Sequence, residues 1–349
     1  MNKDLHIQSN PQTTIEAAWQ SQDTFFIDVR SPKEYASGHI PGAISIPLLE
    51  NKEQESIGVL YKKFGQQKAI EKGYEYLDKK LQRFYRQFQD LPRDKSLIVY
   101  CARGGMRSQV VSSLLNHFSY NTYQLIGGYK AFRNWNLAEF DRVKIKFPIV
   151  LHGKTGVGKT LVLNRLENSL DLEGLAAHRG SLFGGIGKIP VTQKTFEANL
   201  LVELNRLDLS KPVFIEGESR KIGDVSIPHQ IFSQMKSARS ILLESSMTNR
   251  VSRTIEEYID RQPDSIGEIK DTIKMLVVEL GHKVVDDLVL KIDNRQYAEC
   301  FEYILLNYYD RKYNHSMKQL HFEATVSTDD LDQAVEKLNN YAEKLVPIF

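Results

Sequence analysis

The chain is expected to be an α/β protein of two domains, each built on a parallel sheet. Three observations carry that expectation. Apolar strands alternate with amphipathic helices over residues 1–143, the pattern that parallel sheets require. A second strand, glycine loop and helix opens close to residue 147. At 349 residues, the chain exceeds what one ordinary core supports. The domains are read as 1–143 and 144–349, with a helical insert at about 49–92 and a helical part closing the second domain.

In the first domain, Phe25 to Val29 reads as a short strand. Ser31, Pro32 and Glu34 then form a helix start: Ser31 as N-cap, Pro32 at the first helical position, Glu34 completing a capping box. Gly38 ends that helix, and Ala43 to Ile46 forms the next strand. Ser96 to Tyr100 is a third strand that runs directly into Cys101, followed by the amphipathic helix "RSQVVSSLLNHF". "TYQLIGGYKAFRNW" gives one more strand, a Gly-Gly turn and a helix. In parallel sheets the chemistry sits at the carboxyl ends of strands, which is where Cys101 falls.

A cysteine between a strand end and a helix start meets backbone N–H groups and the positive end of the helix dipole, which favour its thiolate. In "CARGGMRS", Arg103 and Arg107 add positive charge, and Gly104 and Gly105 let successive amides turn inward as an anion cradle. The plain alternative is a buried structural cysteine in a βα turn. Cys300, on an apolar helical stripe, reads as a core residue. The insert repeats apolar residues at helical spacing, among them Leu60, Phe64, Leu81, Phe84 and Phe88, within a basic, tyrosine-rich segment. That pattern suits amphipathic surface helices, or a basic, aromatic face that holds RNA.

In the second domain, Gly153-x4-Gly158-Lys159-Thr160 with Gly156 between is a complete phosphate-binding loop at a strand-to-helix junction. Its amides wrap phosphate oxygens, Lys159 neutralises them and Thr160 reaches a Mg²⁺ ion. A second strand, "PVFIEGESRKIG", ends in Glu216 and Glu218, with Arg220 following. Acidic residues at such a strand end assist a metal directly or through water, although a strand-end glutamate can also be an ordinary solvated charge. "AAHRGSLFGGIG" carries His178 and Arg179 in a loop able to approach a ligand closely. "SARSILLES" gives a third strand, and beyond residue 250 the chain reads mainly helical. There, "LNYYDRKYNH" reads equally well as a helix end with satisfied tyrosines or as a functional cluster.

Composition sets outer bounds. With 41% hydrophobic and 26% charged residues and no apolar run able to span a bilayer, the chain reads as globular, with no membrane partner. "MNKDLHIQSNPQTT" lacks the apolar core of a secretion signal, and two cysteines make no disulfide framework, so a reducing cytoplasm is expected. A net charge of +2 leaves any RNA binding to local basic patches. Nothing in the chain calls for haem, zinc or nicotinamide.

"DVRSPKEYASGHIPGAISIP", the strand–Cys101–helix unit and "GGY" together resemble a rhodanese domain. Cys101 and Arg107 also satisfy the Cys-x5-Arg spacing of cysteine phosphatases, some of which share that fold, but Tyr100 stands where many of those enzymes have histidine. Joined to "GKTGVGKT", "HRGSLFG" and "ESRKIG", the chain resembles bacterial tRNA 2-selenouridine synthases over almost its full length. Where that family's pattern has an acidic pair before "ESR", Gly217 here separates Glu216 from Glu218. The resemblance implies a transferase that S-geranylates a wobble 2-thiouridine in tRNA from geranyl diphosphate, then replaces the geranylthio group with selenium from selenophosphate. It implies Cys101 as the rhodanese cysteine, the 153–160 loop as a phosphate site, Mg²⁺ as cofactor, and tRNA and selenophosphate synthase as partners. The alternative is a sulfurtransferase or cysteine phosphatase fused to an NTP-hydrolysing module with no RNA substrate, or a sensor that turns nothing over.

Overall fold

A computed structural model describes residues 10–317 and 320–345. The chain divides into two compact units between Glu139 and Phe140, a few residues ahead of the boundary expected from sequence.

In unit 1 the elements run β1 (Gln12–Thr13), α1 (Ile15–Gln20), β2 (Thr24–Asp28), α2 (Pro32–Ala36), β3 (Ile44–Ser45), α3 (Asn51–Asp78), α4 (Leu81–Gln89), β4 (Ser96–Tyr100), α5 (Met106–His117), β5 (Thr122–Leu125) and α6 (Gly128–Phe140). The five strands form one parallel sheet in the order β1-β5-β4-β2-β3. The capping box at α2 is present as read: the Ser31 hydroxyl accepts from the Glu34 amide and the Glu34 carboxylate from the Ser31 amide. The "DVR" run at the end of β2 has a structural cause. Asp28 holds the buried Arg30 guanidinium through Nε and Nη2, and Arg30 stacks 3.9 Å from the centre of the Tyr129 ring. The insert is helical, but α3 breaks at Gly65 and its two halves fold back on each other, so that Tyr76 Oη lies 3.5 Å from Ser56 Oγ. The amphipathic helices expected there are present, and they bury Phe84 and Phe88 while leaving Phe64 65% and Leu81 43% exposed.

In unit 2 the elements run β6 (Phe147–His152), α7 (Lys159–Leu163), β7 (Ser169–Leu170), α8 (Leu172–Leu175), α9 (Gln193–Arg206), β8 (Pro212–Glu216), β9 (Lys221–Ile222), β10 (Val225–Ser226), α10 (His229–Lys236), β11 (Arg239–Glu244), α11 (Met247–Ile255), α12 (Ile266–Lys274), α13 (Val277–Leu280), α14 (His282–Asp293), α15 (Tyr297–Ile304), α16 (Asp310–Met317), β12 (Ala324–Ser327) and α17 (Leu331–Glu343). Its main sheet is parallel in the order β12-β11-β6-β8-β7, with β9 and β10 a separate antiparallel pair. From the central β6 the chain goes first to one side of the sheet and then to the other. The crevice at the carboxyl end of β6 is therefore the place where a ligand is expected. A helical cluster around Phe301, Ile269 and Ile273 encloses Cys300, whose thiol is pushed up to about 12 by burial, in keeping with a core role. Among the described residues, no helix is long and apolar enough to cross a membrane.

Candidate functional sites

Unit 1 places Cys101 at the carboxyl end of the central strand β4, 3% exposed. The Gly105 amide donates to Cys101 Sγ at 3.2 Å and the Ser108 hydroxyl lies 3.3 Å from it. Burial opposes the thiolate, but the Ser108 hydroxyl, the Arg103 and Ser108 amides and the charge of Arg107 together hold the thiol below its ordinary pKa. The Gln124 side chain clamps the loop, donating to the Gly104 carbonyl at 2.8 Å and to the Ser108 hydroxyl at 3.0 Å. Gly128 is needed because a Cβ there would overlap the Cys101 carbonyl oxygen. Arg103 is exposed at the loop. Arg107 does not reach into the cradle as a free cation: its guanidinium is held by Glu34 at 2.6 and 3.2 Å, so its effect on the thiol is through its charge. The Tyr100 hydroxyl is occupied by the Ile40 amide at 3.1 Å.

Unit 2 builds its site at the crevice predicted by topology, around a cavity of about 560 Å³. Gly156 and Gly158 take positive φ and line it with Lys159 and Thr160, while the Gly153 carbonyl accepts from Lys159 Nζ at 3.4 Å. The helix expected after the loop is shorter than its sequence suggests. It ends at Leu163, so the loop amides contribute more to an anion site than a helix dipole does. Thr160 Oγ1 donates to Glu216 Oε1 at 3.2 Å, and the other Glu216 oxygen accepts from the Glu173 amide at 3.1 Å. Glu173, Glu216 and Glu218 each bring a carboxylate oxygen within 4.8 Å of the others. Burial raises the Glu216 carboxyl to about 8 despite the pull of Lys159, with Asp171 and Glu218 adding repulsion; burial and Glu216 raise Glu173 as well. Burial works against charge on Lys159, but Tyr313 and the three glutamates hold its pKa above the ordinary lysine value.

Gly217 accounts for the break in the acidic pair. Its amide donates to the Leu151 carbonyl at 3.0 Å, and a Cβ there would lie 2.7 Å from that oxygen. The chain must pass flush against β6 at this point, and Glu218 still reaches the cluster one residue later. Arg179 lines the cavity as expected, held by Glu257 through Nε at 2.6 Å and lying 5.0 Å from the Tyr258 ring centre. Arg220 does not belong to it. Its side chain is exposed, and its carbonyl accepts from Ile227 beside the β9–β10 pair.

Several members of the site were not foreseen. Glu173 follows a two-residue strand and carries no motif. The tyrosine-rich segment that the sequence left open between a helix end and a functional cluster contributes Tyr308, Tyr309, Lys312 and Tyr313 to the wall. Asp310 receives Arg250 at 2.7 and 2.9 Å and Lys154 at 3.2 Å, while Arg250 Nε donates to the Thr155 carbonyl at 2.9 Å. This buried network fixes the phosphate loop from behind. Two widened π-helical turns, Glu256–Asp260 and Leu305–Tyr309, supply part of the same wall, a placement such turns often have at functional sites.

Comparison with known proteins finds a family match in each unit. Residues 12–134 match the family described as "Rhodanese-like domain", and residues 146–277 match "tRNA 2-selenouridine synthase AAA domain". The tRNA 2-selenouridine synthase of Nitrosomonas europaea is 35% identical over 286 residues, covering 78% of this chain and 73% of that one. Its counterpart in Sulfurovum sp. is 30% identical over 339 residues, covering 88% and 93%. A solved structure, the N-terminal domain of a Clostridium difficile 630 protein titled as ATP/GTP binding, is 42% identical over 36% of this chain and 97% of its own, with a TM-score of 0.34. By the extent of these matches, the chain belongs to the tRNA 2-selenouridine synthase family.

Proposed function

We propose that the protein replaces sulfur by selenium at the 2-position of a wobble 2-thiouridine in tRNA, in two steps assigned to its two units. The observation that carries this reading is the presence, in one chain, of a loop that favours a thiolate and a phosphate loop backed by three carboxylates.

In the first step the thiouridine sulfur attacks the allylic carbon of geranyl diphosphate. The S–C bond forms as the C–O bond breaks, diphosphate leaves and the N3 proton passes to solvent. Lys159 and the amides of the 153–160 loop meet the charge gathering on the diphosphate. The crowding of Glu173, Glu216 and Glu218 beside the Thr160 hydroxyl fits a Mg²⁺ ion, since a cation would offset the burial and the carboxylate repulsion that raise Glu216. When bound, Mg²⁺ supplies further positive charge to the leaving group.

In the second step the selenium of selenophosphate attacks C2 and the C2–S bond breaks. Geranylthiolate leaves, and hydrolysis of the Se–P bond yields phosphate and 2-selenouridine. The Cys101 loop receives the donor, with its amides and Arg103 toward the phosphoryl oxygens and the Cys101 thiolate assisting transfer. An enzyme that makes selenophosphate must supply that donor.

Mass spectrometry of wobble nucleosides, after incubation with thiolated tRNA, geranyl diphosphate, Mg²⁺ and selenophosphate, tests the reading. Geranylthiouridine followed by selenouridine is the expected result. Unchanged thiouridine would reject it in favour of a sulfurtransferase or phosphatase activity at Cys101.

A further inference from the structure

Unit 1 contains a cavity of its own, of about 260 Å³, open to solvent and lined by the folded-back halves of α3 and the first turns of α5. Its walls are largely apolar, built from Leu48, Leu49, Ile57, Ile70, Leu77 and Val110. Leu48 and Leu49 belong to the same buried cluster as Cys101. Met106 and Arg107, immediately beyond the Cys101–Gly105 loop, line its other side. Arg107 contributes its aliphatic stem there, because Glu34 holds the guanidinium. The cavity therefore presents mostly hydrocarbon walls next to the cysteine loop, with Gln54 and Gln66 as polar side chains in its lining and the Arg107 guanidinium drawn off toward Glu34.

We infer that this cavity is a hydrocarbon-chain subsite of the Cys101 centre, and that it takes the geranyl chain of the S-geranyl-2-thiouridine intermediate. The identity of the chain rests on the function proposed above; the chemical class rests on the walls. Ligand pockets for drug-sized molecules run from about 300 to 1,000 Å³, so a space of about 260 Å³ suits a short alkyl or prenyl chain and excludes a nucleoside together with its chain. Such a subsite gives the second step a reason to follow the first. Unmodified thiouridine has nothing to place in it, whereas the geranylated base is drawn to the cysteine loop by the group that then departs.

The experiment uses the full-length protein and an anticodon stem-loop RNA carrying S-geranyl-2-thiouridine with a diazirine at the far end of the chain. Irradiation followed by peptide mapping is expected to place crosslinks in residues 48–77 and 106–110. A second readout compares geranyl with dimethylallyl thioethers in the selenation reaction. Gly73 lies on the cavity wall, and a Cβ there would meet only Ile57 Cδ1, at 3.7 Å, so Gly73→Leu fills the space without a backbone clash. The variant should lower kcat/KM for the geranyl substrate, relative to dimethylallyl, by tenfold or more. Crosslinks confined to other segments, or an unchanged ratio, would overturn the subsite while selenation by the wild type left the proposed function standing. Crosslinks in the cavity with no selenation by the wild type would keep the subsite and reject the function.

Discussion

The Thr160 hydroxyl donates to the Glu216 carboxylate across 3.2 Å, tying the last residue of the phosphate loop to the end of the adjacent parallel strand β8. The pair makes the cation site and the phosphate site one unit. Glu216→Gln keeps the hydrogen bond and removes a ligand charge. The Mg²⁺ concentration giving half-maximal geranylation should rise at least about tenfold, as read from a metal titration of the first step, with Cys101 alkylation unaltered.

Lys159→Ala removes the cation facing the leaving diphosphate. Geranyl transfer should fall by about 10²–10³-fold in kcat, while tRNA geranylated beforehand is still converted to the selenouridine form. Single-turnover assays of the two steps separate these outcomes.

Cys101→Ala should abolish selenation and spare geranylation; equal loss of both would reject the division of labour. The thiolate also has a pH signature. Because the Ser108 hydroxyl, the loop amides and Arg107 hold the folded thiol below its ordinary value against the cost of burial, iodoacetamide labelling should fall off with a midpoint at lower pH than it does for a free cysteine. Ser108→Ala, which removes a hydrogen bond to Sγ, should move the midpoint upward.

Glu34 offers a stability test. Burial opposes its charge, but Arg107 and the Ser31 amide hold the carboxyl below the usual glutamate range. A depressed carboxyl contributes stability above its unfolded pKa and loses it as pH falls through the folded value. The stability difference between wild type and Glu34→Gln should therefore be present at neutral pH, at no more than about 1 kcal/mol for a partly exposed pair. It should vanish in acid denaturant titrations.

Asp310→Ala would strand the buried Arg250 guanidinium. Breaking such a pair costs about 3–5 kcal/mol, and the freed Arg250 would no longer hold the Thr155 carbonyl. The unfolding transition of unit 2 should move to lower temperature, and the affinity of the loop for diphosphate should weaken in calorimetry.

Local chemistry was legible in the sequence. The Ser31–Glu34 box, strand 96–100 and the Gly153–Thr160 loop are specified within a few residues of themselves, so spacing alone places them. What escaped depends on distant partners. Glu173 enters the site only because its amide meets Glu216, and Asp310 acts through an arginine 60 positions away. β1 and β7 have two residues each, too few to show a period, and β12 exists because β11 offers it an edge. In the insert the helices were legible, but the break at Gly65 was not, because apolar spacing counts residues along one uninterrupted helix.

The turn beneath the cysteine also fixes an orientation. The Tyr129 amide donates to the Cys101 carbonyl at 2.8 Å and the Lys130 amide to that of Ala102 at 3.0 Å. Because a trans peptide is planar, pinning those two carbonyls toward α6 points the N–H groups of Ala102 and Arg103 the opposite way, and the Arg103 amide is one of those that meet the sulfur. The polarity of the cradle is thus set before any anion arrives, by the first residues of α6 at the Gly127–Gly128 turn. A bulkier residue at Gly128 would act on the chemistry as a rotated dipole, leaving the cysteine in place and the loop facing the wrong charge.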